Sequence, residues 1–191
     1  MEIILASASP RRKEILSRSG IQFSVMVSEA DENIDFSLPP YFVAEQLSLL
    51  KASAVAKNVK SHSLVIGADT IVVLDDTILT KPKDTRDAKN ILSALSGRWH
   101  SVITGVTVID TKTAKSETFY AQTKVHFLAL SEEEIDNYIL TGEPMDKAGA
   151  YGIQGKGGLF IDEIQGDYNN VVGLPLCKLF KVLKDEFGAS L

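Results

Sequence analysis

Three stretches of the 191-residue sequence put chemically capable side chains where elementary electrostatics would not leave them. Arg11, Arg12 and Lys13 follow Ser9 and Pro10, an N-cap serine and a first-turn proline, and so fall in the first turn of a helix. The partial positive charge of a helix N-terminus favours carboxylates, and three cations there oppose it. Free N–H groups, the hydroxyls of Ser7 and Ser9 and the guanidinium forks would instead converge on an anion and cradle a phosphate. The plainer alternative is a solvated basic turn beside Glu14. Asp69 is the second anomaly. It stands inside Leu64-Val65-Ile66-Gly67-Ala68-Asp69-Thr70-Ile71-Val72-Val73-Leu74, an apolar, β-branched run, where an ionised carboxylate costs several kcal/mol unless a cation or metal compensates it. A functional carboxylate is expected, against the alternative that the strand is already turning at Gly67.

The third stretch, 142–158, carries six glycines among its seventeen residues, a backbone that can closely approach a ligand. It is not a phosphate loop of the Walker type: five residues separate Gly149 from Gly155, and Gly157 follows Lys156 where Ser or Thr should stand. Gly155-Lys156-Gly157-Gly158 does not open a helix after a strand either, which removes the dinucleotide fingerprint. A plain flexible loop is the remaining alternative. His62, His100 and His126 show no i, i+4 pair and no cysteine partner, so they read as structural and not as zinc ligands. Gly-x-Ser-x-Gly is absent, which leaves a serine hydrolase without support.

The elements that must position these residues are legible from periodicity and caps. Ile3 to Ala6 reads as a short buried strand, followed by a helix from Ser9 and Pro10 to about Ser19, stopped by Gly20. Apolar residues at helical spacing mark 41–57, and the run 64–74 has the character of a central strand. Asp75-Asp76-Thr77 marks a hairpin turn. Asp84 or Thr85 caps a helix through Leu95 ended by Gly97, strand character returns over 102–109, and 119–130 partly alternates. Ser131 and Glu134 form a capping box for a helix closed by Gly142. A further strand is expected at 159–161, a loop at 166–170 and a last helix from about Pro175, with Cys177 as a buried structural cysteine on one face of that helix. Strands separated by helices argue for an α/β fold, and hairpins near Asp75 and Asp110 argue for a mixed sheet. No repeat or linker interrupts the chain, so residues 1–191 are expected to form one domain, with two lobes around a cleft.

Composition narrows the partners. With 25 acidic against 20 basic residues, a net charge of -5 and a pI near 5.2, the chain lacks the basic footprint of a nucleic-acid-binding protein, and any phosphate recognition must be local. A single cysteine allows no intramolecular disulfide, and the apolar start Met1 to Leu5 is too short for a signal peptide or a membrane span, so a reducing cytoplasm and no membrane partner are expected.

Taken together, Ser7-Ala8-Ser9-Pro10-Arg11-Arg12, Gly67-Ala68-Asp69-Thr70, Lys81-Pro82, Ser96-Gly97, the block from Asp146 to Gly155 and Val171-Val172-Gly173-Leu174-Pro175-Leu176 resemble the Maf family, in order and across nearly the whole chain. The resemblance implies a mixed sheet flanked by helices in two lobes, similar to inosine triphosphate pyrophosphatase-like folds. It also implies a divalent metal, Mg²⁺ or Mn²⁺, frequent dimerisation, and hydrolysis of the α–β phosphoanhydride of a nucleoside triphosphate. By the same resemblance Asp69 is the proton acceptor that activates water. Arg11, Thr70 and Gln154 mark the branch acting on dTTP and UTP against the branch acting on methylated GTP. Ser7, Arg12, Lys51 and Lys81 match positions lining the phosphate path, and Glu32 with Asp69 matches the carboxylates that hold metal. Without it, Lys51 beside Leu50 could equally face solvent. A nucleotide-binding regulator of septum formation without turnover is the rival the family also carries, and an intact Asp69 among cations argues for catalysis instead.

Overall fold

The computed structural model describes residues 1–189. A seven-stranded mixed sheet forms its spine, in the order β2 (Ser24–Val25), β1 (Glu2–Ala6), β3 (Ser63–Leu74), β5 (Trp99–Asp110), β6 (Ser116–Phe127), β7 (Ile161–Gln165), with β4 (Thr77–Leu79) also paired to β3. β1 runs parallel to β2 and β3, and the remaining pairs are antiparallel, so the mixed sheet expected from the hairpins is the one that forms. The tight turn into β4 is made by Asp75 and Asp76 at φ 47° and 64°, the left-handed pair that a two-residue hairpin demands and that Asp tolerates.

The helices are α1 (Pro10–Ser17), α2 (Pro40–Ala56), α3 (Thr85–Leu95), α4 (Glu132–Leu140), α5 (Tyr168–Val172) and α6 (Leu176–Phe187). Their starts follow the sequence signals. The Ser9 hydroxyl accepts from the Arg12 N–H, Asp84 accepts from the Asp87 N–H at 2.8 Å, and both halves of the Ser131–Glu134 box are present. Three expectations are corrected. The strand placed at 159–161 begins only at Ile161, because Lys156–Phe160 forms a 3₁₀ turn. The loop at 166–170 contains α5, whose start is capped by Asp167 accepting from Asn169 N–H at 2.8 Å. Cys177 is exposed, not buried: α6 buries Leu179 and Leu183, four residues apart on one stripe, and Cys177 lies off it.

Alternation along β3 divides the core. Even-numbered positions face α1, α5 and α6 at one end, where Leu64, Ile66 and Ala68 join Leu16, Leu174 and Leu179. At the other end Val72 and Leu74 join Leu92, Leu95, Phe127 and Tyr138 under α3 and α4. Thr70 is the polar residue between these two apolar clusters. Odd-numbered positions face α2, with Val65 in one cluster, Ile71 and Val73 in another, and Asp69 between them. α2 lies unusually close to the sheet. A Cβ at Gly67 would stand 2.4 Å from the Ser48 carbonyl oxygen, and one at Gly105 would stand 2.2 Å from that of Ala44, so only glycine admits the helix at these two points. On each face of this one continuous sheet two apolar clusters are therefore parted, at Thr70 on one face and at Asp69 on the other.

Candidate active site

β3 is paired with β5 along almost its full length, but its other side is shared. β1 covers residues 63–67 and β4 covers residues 72–74. Residues 68–71 have no strand on that side, and the gap opens where β1 ends and the loop into α1 begins. Ligands in α/β sheets bind beyond the carboxyl end of a strand at such a break in the connections. A cavity of about 770 Å³ occupies the gap, lined by the start of α1, Asp69 and Thr70, Lys51 of α2, Lys81 after β4, and the glycine-rich segment around Gln154.

Each expected site residue lines this cavity. Ser7 and Ser9 organise the loop before α1: the Ser7 hydroxyl accepts from the Ser9 N–H at 3.1 Å, and Pro10 starts the helix. Arg12 is partly buried and bonded to the protein. Its Nε donates to the Gly173 carbonyl at 2.8 Å, Nη2 to the Thr70 hydroxyl at 3.0 Å and Nη1 to Ser7 at 3.5 Å. Burial lowers its pKa, opposed by the charge of Asp69 and assisted by that of Arg11. Thr70 passes the contact on: its hydroxyl lies 2.9 Å from that of Thr104, which donates to the Asn170 carbonyl at 3.0 Å. The guanidinium therefore joins α1, β3 and the turn after α5. Of its five N–H donors three are engaged, which leaves two for the cavity. Arg11 is different. No hydrogen bond or ion pair engages its guanidinium among the described residues; its charge is felt by Asp146, whose pKa is lowered first by Lys147 and in part by Arg11.

Asp69 leaves β3 on the opposite face to Thr70 and meets α2. Its carboxylate accepts from the Lys51 ammonium in a close ion pair with both side chains about 15% exposed, and the same ammonium lies 3.2 Å from Glu32. The close seat of α2 over Gly67 is what brings Lys51 there, since Ala52, the next residue, is itself pressed against Gly67. The largely enclosed carboxylate thus has the compensating cation that electrostatics requires, and Lys51 turns its ammonium to it and not out to solvent. Glu32 comes from the segment after β2 and is exposed. Among the described residues no three His, Cys, Asp or Glu side chains gather in a way that could hold a metal ion. His100 is buried with its Nε2 2.8 Å from the Tyr151 hydroxyl, and burial holds its pKa down at about 4.

Lys81 is exposed and carries no ion pair among the described residues; the hairpin places it, and the Thr80 carbonyl beside it accepts from Gly149 N–H at 3.2 Å. Gln154 is exposed on the cavity with its amide free of hydrogen bonds among the described residues, at the crest of the segment between two 3₁₀ turns, Ala148–Ala150 and Lys156–Phe160. That segment is no plain loop. Glu143, which the sequence reading did not single out, ties it together from inside, accepting from the N–H groups of Lys156 at 3.0 Å and Gly157 at 3.2 Å. The clue was present in Gly142-Glu143-Pro144 beside so many glycines, but its meaning depends on where the segment folds back. Five cations and four carboxylates line the cavity of a chain whose net charge is -5.

No described helix is long and apolar enough to cross a membrane. Two curated relatives are named dTTP/UTP pyrophosphatase. That of Bacillus cytotoxicus is 52% identical over 190 residues, covering 99% of this chain and 98% of its own. That of a Thermoanaerobacter strain is 51% identical over 191 residues, covering all of both chains. Among solved structures, the Ham1 protein of Staphylococcus aureus superposes with a TM-score of 0.57 at 13% identity, over 97% of this chain and 100% of its own, a likeness of fold. The Maf-like protein family model matches residues 2–186, and with those relatives alongside it the chain belongs to the Maf-like family.

Proposed function

We propose that this protein is a nucleoside triphosphate pyrophosphatase of the cytoplasm that hydrolyses dTTP and UTP to the monophosphate and pyrophosphate. The observation that carries the reading is the pairing, at one break in the sheet, of a compensated carboxylate on β3 with cations unengaged among the described residues on two other segments, Arg11 at the start of α1 and Lys81 after β4. The full-length relatives named dTTP/UTP pyrophosphatase support the substrate class.

The residues divide the task by position. Arg11, Lys81 and the two unengaged N–H donors of Arg12 supply charge-assisted hydrogen bonds to a triphosphate that carries close to four negative charges. Asp69 accepts the proton of the attacking water, and Lys51 holds the carboxylate in place. The donor chemistry beside it fits a divalent cation: Glu32 and Asp69 present two carboxylates to one point, now met by the Lys51 ammonium, and a hard ion of the Mg²⁺ kind is commonly held by one or two carboxylates plus phosphate oxygens. Such an ion, bound there, lowers the charge of the leaving pyrophosphate. Gln154, with a donor and an acceptor on one amide, matches the imide edge of thymine or uracil, which offers two carbonyls and one N–H. Thr70 is small, and its hydroxyl is occupied by Arg12 and Thr104, so it acts by leaving room and by orienting the arginine.

A panel of canonical and methylated nucleoside triphosphates with Mg²⁺, with pyrophosphate and orthophosphate read separately, tests the reading. Monophosphate and pyrophosphate from UTP and dTTP are expected. Release of orthophosphate with a nucleoside diphosphate, or a preference for methylated GTP, would overturn it.

A further inference from the structure

The glycine-rich segment that carries Gln154 is closed around an acid. Glu143, at the start of the 3₁₀ turn Glu143–Asp146, directs its carboxylate into the arc of residues 152–157. Oε1 accepts from the Tyr138 hydroxyl at 2.9 Å and from the Gly157 N–H at 3.2 Å, and Oε2 accepts from the Lys156 N–H at 3.0 Å. The same Tyr138 hydroxyl accepts from the Gly152 N–H at 3.2 Å. One carboxylate–phenol pair therefore bonds both ends of the arc whose crest is Gln154. The glycines make room for it. A Cβ at Gly155 would stand 2.3 Å from Glu143 Oε1, and a Cβ at Gly157 would stand 2.7 Å from the Tyr138 hydroxyl oxygen.

The protonation states suit this arrangement. Burial pushes the Glu143 carboxyl up, but the Lys156 and Gly157 N–H groups, the Tyr138 hydroxyl and Lys147 together hold it below the usual carboxylate range. Burial, reinforced by the bond to Glu143, raises the Tyr138 phenol above its ordinary value, so it stays a donor. Tyr138 itself is anchored in the apolar cluster by edge contact with Phe160, ring centroids 5.0 Å apart.

We propose that Glu143 and Tyr138 are positioning residues for base selection: they hold the Gly152–Gly157 arc in the one shape that aims the Gln154 amide into the cavity, and thereby set nucleobase discrimination without touching substrate. The inference rests on the substrate reading above. An amide held in place before binding loses less freedom when it pairs with a base, so its contribution depends on the lock beneath it. Among the described residues the side-chain hydrogen bonds of Glu143 and Tyr138 stay within α4 and the glycine-rich segment, and none reaches α1, α2 or β4 at the phosphate end of the cavity.

Glu143→Gln keeps the size of the side chain but turns an NH₂ toward donors already there. Its kcat/KM for UTP should fall about 30-fold, mostly through KM, while the Ki of inorganic tripolyphosphate as a competitive inhibitor changes less than about 3-fold. In a Gln154→Ala background the same substitution should cost less than about 3-fold, because the group it positions is gone. Tyr138→Phe, which keeps the ring against Phe160, should show the same pattern in weaker form and serves if Glu143→Gln does not fold. Equal losses for UTP and tripolyphosphate, or a full 30-fold loss persisting without Gln154, would mark a general structural defect and overturn the proposal. Failure of the substrate reading is separately visible, since the unmutated enzyme would then turn over neither UTP nor dTTP.

Discussion

Asp69 and Thr70 are neighbours on β3 whose side chains leave the strand on opposite faces, the carboxylate toward Lys51 of α2 and the hydroxyl toward Arg12 of α1. Two adjacent residues thus link the strand at the break in the sheet to the helices on either side of it. The gap in pairing at 68–71 is what lets both reach one cavity.

Because Asp69 is already balanced by Lys51, neutralising it removes a proton acceptor and leaves the ammonium with Glu32 as its partner. Asp69→Asn is expected to lower kcat by at least about 10²-fold while nucleotide affinity is largely kept, the loss usually ascribed to a general base. Steady-state kinetics with equilibrium binding of UTP checks this. A variant keeping more than about a tenth of wild-type kcat would show that Asp69 is not the base.

The two arginines of α1 should separate by assay. Arg12→Lys breaks the bond to Gly173 and the fork toward Thr70, and is expected to cost about 2 kcal/mol of stability as well as activity. Arg11→Ala breaks no bond among the described residues, so its melting temperature should stay near wild type while kcat/KM for UTP falls roughly 10- to 100-fold. Thermal unfolding beside kinetics distinguishes them, and a destabilised Arg11→Ala would contradict the assignment.

Gln154→Glu replaces a free amide on the cavity with a carboxylate facing the carbonyl acceptors of a pyrimidine. A loss of about 10²-fold in kcat/KM for dTTP and UTP is expected, corresponding to a few kcal/mol of unfavourable pairing. Unchanged pyrimidine turnover in this variant would remove Gln154 from base recognition.

His100 gives a pH signature independent of catalysis. Burial is the main cause of its low pKa, opposed by the Arg98 carbonyl and assisted by His126, and the value of about 4 lies below the ordinary 6.5. The folded state therefore binds this proton less readily than the unfolded chain. The stability it contributes is complete above pH 6.5 and is lost as the pH falls toward 4. From pH 7.5 to 5 that loss should be about 2 kcal/mol in urea unfolding. His100→Gln should remove the slope, and an unchanged slope would assign it to other groups.

Read by itself, the chain disclosed much of this arrangement. Caps at Ser9, Asp84 and Ser131, the β-branched run around Asp69 and the glycine block are local signals, governed by interactions within a turn or two, and local physics survives folding intact. The misplacement of Asp69 and of the α1 cations was also visible, because the cost of an uncompensated charge does not depend on the fold. What depended on tertiary structure was partnership. Lys51 looked like a surface lysine until Gly67 and Gly105 let α2 press onto the sheet and set its ammonium against Asp69. Arg11 and Arg12 were equivalent in sequence, and only the arrival of the Gly173 carbonyl from 161 residues away made one a clamp and left the other free. Cys177 reads as buried in the sequence and is exposed in the fold, because sequence spacing does not show which face of a terminal helix meets the core. Glu143 is illegible in the sequence for the same reason. An acid beside a proline and a glycine has no meaning until the chain returns nine to fourteen residues later and closes around it, and long-range contacts of that kind are settled by packing, which no local pattern encodes.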